Sequence, residues 1–303
     1  MYLMRWFGNR ALASMALICC CLPATTWAGP PAQKLPSALL VYPFIEVSPD
    51  QDTRIEIVNL SGNPQVLQCF YVDDSCNELG FLVSLTPFQP MAWLVSSGIG
   101  GESSGTAAPP FFGTGELKCA VVPSHPEVEF HNAIQGRATV FGADGQTVSY
   151  DAVGFQRLSD GDFTGVLSLD GTNYAQCPAI LHFDVVADGP TTTSDVVLVP
   201  CSEDLLLQVP TTVQVNVTII NEFETSYSRS IAVTCSTRRT LGSIGRELTQ
   251  AVLGSDTAHL VFRGVGGPLL GLVIDGVSFA GVAGTAGNEP SFQGGRSATV
   301  VFP

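Results

Sequence analysis

The sequence predicts an all-β protein built as two tandem disulfide-bonded β-sandwich domains. Three observations lead there. Gly and Pro are frequent, 31 and 20 among 303 residues, and long helical periodicity is missing, so many short strands punctuated by turns are expected. Apolar and polar residues alternate in several short runs, the period of a half-buried strand. Six cysteines follow an N-terminal leader, an even number that suits disulfides in an exported chain.

The leader occupies residues 1–28. Arg5 and Arg10 supply a short positive region, and Ala11 to Leu22 is an apolar run of signal-peptide length. Thr26-Trp27-Ala28 then offers small residues at the two positions a signal peptidase reads, so cleavage is expected after Ala28. The run is about 12 residues long, against the roughly 20 of a spanning helix. Lipidation at Cys19, Cys20 or Cys21 is the minor alternative, because Ile18 stands where a small residue is usual. No later segment is long and apolar enough to span a membrane, so the mature chain is expected to lack a transmembrane segment.

Without the leader, 275 residues remain, with eleven basic against 27 acidic side chains and a net charge of −16. Lys34 and Lys118 are the only lysines. Such a balance argues against nucleic acid and anionic membrane surfaces as partners, since there is no basic patch to release counterions. Solubility outside the cell is the plain reading, and attraction for divalent cations or cationic partners the sharper one. A hydrophobic content of 45% argues against disorder.

The elements follow in order. Residues 29–36 are a Pro-rich lead, and 37–188 are read as the first sandwich. Within it, 38–46 (ALLVYPFIE) is strand-like, with Pro43 suggesting an edge or a kink. Alternating 54–59 (RIEIVN), the turn Ser61-Gly62-Asn63-Pro64 and 65–72 (QVLQCFYV) read as a hairpin. Strands are also expected at 81–85 and 91–96. Residues 96–115 are a Gly/Ser-rich loop with an apolar tip, Pro109-Pro110-Phe111-Phe112, which either folds back or forms a contact patch. In 116–122 (ELKCAVV), Leu117, Cys119 and Val121 share one face, opposite Glu116 and Lys118. Residues 138–141 and 146–150 flank Gly142-Ala143-Asp144-Gly145, another hairpin signal. Further strands are expected at 165–169 and 180–186. The polar stretch 187–194 (ADGPTTTS) reads as the domain boundary, and 194–303 as the second sandwich. There 196–200 opens a new set, and Val213, Val215, Val217 and Ile219 alternate with Gln214, Asn216 and Thr218. Ile231, Val233 and Cys235 repeat the pattern. Strands at 260–263, 269–274 and 297–302 follow, with a helical turn within 243–253.

A weak internal repeat emerges: a strand ending at Asn59 or Asn221, a connection, and a returning strand carrying Cys69 or Cys235. Each unit follows an apolar strand with Leu-Val and a proline, Leu40-Val41-Tyr42-Pro43 or Leu198-Val199-Pro200. This suits a sandwich in which the cysteine strand bridges the sheets. The disulfide candidates are Cys69, Cys76, Cys119, Cys177, Cys201 and Cys235. On this reading Cys201–Cys235 bridges the second domain, Cys69–Cys119 the first, and Cys76–Cys177 follows by subtraction. No C-x-x-C spacing points to zinc.

The blocks LLVYPFIEV (39–47), the asparagine-to-CFYV pattern ending at Val72, GELKC (115–119), LVPC (198–201) and INEFE (220–224) resemble a group of uncharacterised exported proteins of environmental bacteria. The resemblance implies export and immunoglobulin-like sandwich folding. It supplies no catalytic residue.

Motifs for chemistry are sparse. His125 and His131, with Glu127 and Glu129 between them, match no compact metal motif and read as a solvated loop. His182 reads as a partly buried strand residue, and His259 has no suggestive neighbours. Asp50/Asp52, Asp73/Asp74 and Asp160/Asp162 sit in or beside turns, where Asp caps local backbone N–H groups. A calcium loop would need further ligands. Gly101-Glu102-Ser103-Ser104-Gly105 spells G-x-S-x-G, without the strand and helix that a nucleophile elbow requires. No catalytic residue and no cofactor is therefore assigned. The expected role is that of a non-enzymatic envelope or extracellular protein, binding or structural, with a protein or glycan partner. A calcium- or carbohydrate-binding module using the Asp-rich turns, and a hydrolase with an unrecognised site, are the alternatives.

Overall fold

The computed structural model describes residues 35–99, 107–123, 132–159, 164–279 and 282–303. The leader, most of the 29–36 lead, the G-x-S-x-G run, His125, His131 and Asp160/Asp162 lie outside them. Strands make up 63% of the described residues and helix 4%, so the all-β class holds. The N-terminal half carries β1 (Leu39–Val47), β2 (Gln51–Asn59), β3 (Gln65–Asp73), β4 (Glu78–Leu85), β5 (Pro90–Leu94), β6 (Gly113–Val122), β7 (Ile134–Gly142), β8 (Thr147–Asp151), β9 (Val153–Phe155) and β10 (Val166–Leu169). The C-terminal half carries β11 (Cys177–Val186), β12 (Thr192–Pro200), β13 (Glu203–Asp204), β14 (Thr212–Asn221), β15 (Ser226–Thr234), β16 (Thr237–Thr240), β17 (Thr257–Gly264), β18 (Leu269–Phe279), β19 (Val282–Asn288), β20 (Ser291–Arg296) and β21 (Ala298–Val301). Short helical turns fall at Leu241–Ile244, Arg246–Leu248 and Gln250–Leu253, within or next to the expected stretch.

The expectation of two tandem immunoglobulin-like sandwiches is overturned. The strands form five small sheets, ordered β4-β3-β6-β1-β9, β5-β2-β7-β8, β10-β21-β13, β15-β14-β17-β11-β20 and β16-β12-β18-β19. Counted by sheets, this is a five-bladed arrangement of the β-propeller kind. Its sheets are not the consecutive meanders usual in propeller blades, because each draws strands from separated parts of the chain.

Nor do the two halves separate at 187–194. β11, assigned from sequence to the first domain, lies between β17 and β20 of a C-terminal sheet. β10 pairs with β21 near the other end, Leu167 opposite Val300. One core gathers Tyr42, Ile55, Tyr71 and Trp93 with Val197 and Leu272. A second joins Leu39, Val41 and Phe70 to Val199, Leu270 and Val300. The third is C-terminal throughout, with Phe183, Val215, Leu260 and Phe262.

These cores explain the densest apolar runs. In β1, Leu40, Tyr42 and Phe44 face the first core, while Leu39 and Val41 face the second. In β12, Val196 and Leu198 enter the third core, Val197 the first and Val199 the second. A strand covered on both faces reads as a continuous apolar stretch. Two aromatic side chains of the first core satisfy their polar ends: Trp93 Nε1 donates to Tyr71 Oη at 2.7 Å, and Tyr42 Oη donates to the Glu56 carbonyl at 3.0 Å.

The hairpin expected over 54–72 does not form. β2 pairs with β5 and β7, whereas β3 pairs with β4 and β6 of another sheet. The turn is a crossover held by the buried Asn59 side chain. Its Nδ2 donates to the carbonyls of Asn63 and Thr86 at 2.8 and 2.9 Å, and its Oδ1 accepts the Ser61 amide at 2.9 Å. The hairpin at 142–145 does form, joining β7 to β8.

All six cysteines expected in disulfides are bonded. Cys69 joins Cys119, the expected pair, but across the neighbouring strands β3 and β6 rather than between sheets. The other two expected pairings are corrected to Cys76–Cys235 and Cys177–Cys201. The reason is the absence of a boundary. Cys76, in the turn after β3, and Cys235, just after β15, meet at the second core shared by the two halves. Both adopt left-handed backbone, with φ of 67° and 51°.

Candidate functional site

Among the described residues, three constellations carry polar chemistry. The first grows out of β6. Alternation directs Leu117, Cys119 and Val121 into the first core and turns Glu116 and Lys118 the other way. That second face is covered as well, and both charged side chains are fully buried. Lys118 Nζ lies 2.8 Å from Glu116 Oε2 and donates to Glu203 Oε2 on β13. The pair Glu116–Lys118 thus belongs to the N-terminal half and Glu203 to the C-terminal half. Oε1 of Glu116 and Oε2 of Glu78, on β4, are buried without a hydrogen-bond partner.

Burial pushes the Glu116 carboxyl up to about 8, Lys118 opposing the rise and Glu203 adding to it. Glu78 is pushed up to about 7, chiefly by burial and then by Glu203. Lys118 is raised because the attraction of Glu116 and Glu203 outweighs the cost of burying its charge. The cluster is therefore a proton-holding clasp between the halves. A second link lies at the surface, where Arg238 pairs with Glu46 of β1 and, at 2.6 Å, with Asp195 of β12.

The clasp sets a pH dependence. The folded protein keeps a proton on Glu116 up to about pH 8, whereas an unfolded chain releases it near the ordinary carboxylate value. Stability then falls as pH rises through that window, because the folded state binds more protons there. The melting temperature is expected to be several degrees lower at pH 9 than at pH 6, and Glu116→Gln to flatten the slope. A flat or rising wild-type profile would contradict the assignment.

The second constellation lies on the outer face of the sheet containing β11 and β17. His182 Nδ1 is 3.1 Å from His259 Nε2. His182 Nε2 is 2.9 Å from Gln293 Oε1, and His259 Nδ1 is 2.7 Å from Asp184 Oδ1. The antiparallel register brings these together, setting Asp184 opposite His259 and His182 opposite Val261. His182 is a partly buried strand residue, as expected. His259, which has no suggestive sequence neighbours, is its partner, and no sequence signal links residues on two strands so far apart in the chain.

The third is a cleft of ≈ 760 Å³ over β2, β5 and β7, lined by Arg54, Glu56, Met91, Arg137 and Asp151 among others. Its charges pair internally, Arg54 with Glu56 at 2.9 Å and Arg137 with Asp151 at 3.1 Å.

The acidic turns do local work. Asp73 Oδ1 accepts the amides of Ser75 and Asn77 at 2.9 and 2.7 Å, and Asp52 accepts Ser96 Oγ at 2.6 Å. Asp74 accepts the Ser75 hydroxyl, and the Asp50 carbonyl accepts the Ala143 amide. The apolar tip divides: Phe111 is buried against the Tyr71 ring at 5.1 Å, while Phe112 is 71% exposed. Among the described residues no group of three or more His, Cys, Asp or Glu side chains is placed to hold a metal, and no helix is long and apolar enough to cross a membrane.

Comparison with protein families, with curated proteins and with solved structures finds no match to this chain.

Proposed function

We propose that the protein is an exported, non-enzymatic component of the envelope or the extracellular space, with a binding or structural role. The observation that carries this reading is the set of three disulfides, one of which ties the N-terminal half to the C-terminal half. Such bonds form and persist in oxidising compartments and are rare where thiols are kept reduced. The signal-like leader accounts for delivery there, and the acidic surface for solubility after it. The cleft over β2, β5 and β7 is the surface we assign to a protein or glycan partner, since its volume is in the range of ligand sites.

The test is the mass of the protein recovered from cells expressing the full chain. We expect a product beginning at Gly29, found outside the cytoplasm, and lighter by six hydrogens than its reduced form. An uncleaved cytoplasmic product with six free thiols beyond residue 28 would refute export.

A further inference from the structure

The histidine string on β11 and β17 has a chemical peculiarity. Asp184 is a carboxylate and accepts only, so the His259 Nδ1 beside it carries the proton. Gln293 presents its carbonyl oxygen to His182 Nε2, which makes that nitrogen a donor too. A neutral imidazole has one N–H. With both rings neutral, His182 Nδ1 and His259 Nε2 are the two nitrogens left without a proton, 3.1 Å apart. Two such nitrogens repel unless they share a cation, either a proton or a metal ion seated where their lone pairs converge.

We propose that His182 and His259 form a surface site for a divalent transition-metal ion of the zinc class. Two nitrogens bound at about 2.0–2.1 Å in tetrahedral geometry stand roughly 3.3 Å apart, close to the separation present. The far nitrogen of each ring rests on an oxygen acceptor, the arrangement that orients metal-binding histidines and raises their basicity. The His259 side chain is 39% exposed and that of Asp184 89%, so water can reach the site and complete the coordination. The acidic protein adds a general attraction for cations. The site is independent of the export reading: it rests on the register of three strands alone.

Zinc ion alone is the probe, titrated into the purified, disulfide-bonded protein at pH 7.5. Calorimetry follows affinity, and NMR follows the imidazole nitrogens. We expect one ion per chain, with His182 Nδ1 and His259 Nε2 shifting on binding. His182→Ala and His259→Ala should each weaken binding at least tenfold. Asp184→Asn should weaken it by about 10- to 100-fold, as loss of a supporting acceptor does. All three side chains sit on an outer sheet face, so the variants are expected to fold, which circular dichroism checks. His125→Ala with His131→Ala should leave binding unchanged. Binding that disappears in that double variant instead, no binding at millimolar zinc, or ring shifts showing a proton on His182 Nδ1 without metal would each overturn the proposal.

Discussion

Lys118→Ala is expected to destabilise the protein by about 3–5 kcal/mol, the cost of leaving buried charge without its partner. Lys118 is fully buried, and two carboxylates rely on it, one on its own strand and one on β13. Removing the ammonium leaves the Glu203 carboxylate without its buried counter-charge, beside a Glu116 that already holds a proton, so Glu203 must take up a proton or draw in water. The pH dependence should steepen accordingly. Urea denaturation of the purified variant measures the loss directly. The complementary variant replaces Glu116, Lys118 and Glu203 together by Leu, Met and Leu. Because desolvation offsets much of an ion pair's attraction, this triple change is expected to be near neutral or stabilising. A Lys118→Ala variant as stable as wild type would show that the cluster is hydrated in solution and does not clasp the halves.

Removing Cys76–Cys235 by a pair of serines is expected to cost about 5 kcal/mol. The bond spans 159 residues, and a cross-link restricts the unfolded chain more as the loop it closes lengthens. On the same basis Cys177–Cys201, spanning 24 residues, is worth about 3.5 kcal/mol. Thermal unfolding of the two serine pairs should therefore rank them in that order, and the reverse order would mean that the unfolded state is already compact across residues 76–235. Loss of the long bridge should also expose the second core to proteases, since its two walls come from opposite ends of the sequence.

Much of the local structure was legible. Period-two alternation located β2, β6, β14 and β15, and the Gly-Ala-Asp-Gly turn placed β7 beside β8. What alternation conveys is which residues share a face. It does not convey what covers that face. Glu116 and Lys118 alternate with apolar neighbours like any solvent-facing pair, yet both are fully buried, with Lys118 paired to Glu203 of β13. The 54–72 segment has the composition of a hairpin, yet β3 joins a different sheet from β2, with Asn59 bonded to Asn63 in the crossover and to Thr86 beyond β4. The runs LLVYPFI and VVLVP did hold a usable signal. Seven and five consecutive buried residues mark strands walled in on both sides, which is incompatible with two sandwiches whose outer faces meet water. The cysteine partners and the His182–His259 contact had no such trace, because each depends on strand neighbours fixed by the whole fold.

The position of β21 has a consequence for biogenesis. It is inserted between β10 and β13 and seals the second core with Val300 and Phe302. Residues 298–301 leave the ribosome after both strands they pair with, so until they arrive the apolar wall has no lid there and two short strands have no partner. The nascent chain cannot finish folding piecewise from its N-terminus. Until β21 has emerged, that uncovered apolar wall is a surface open to aggregation.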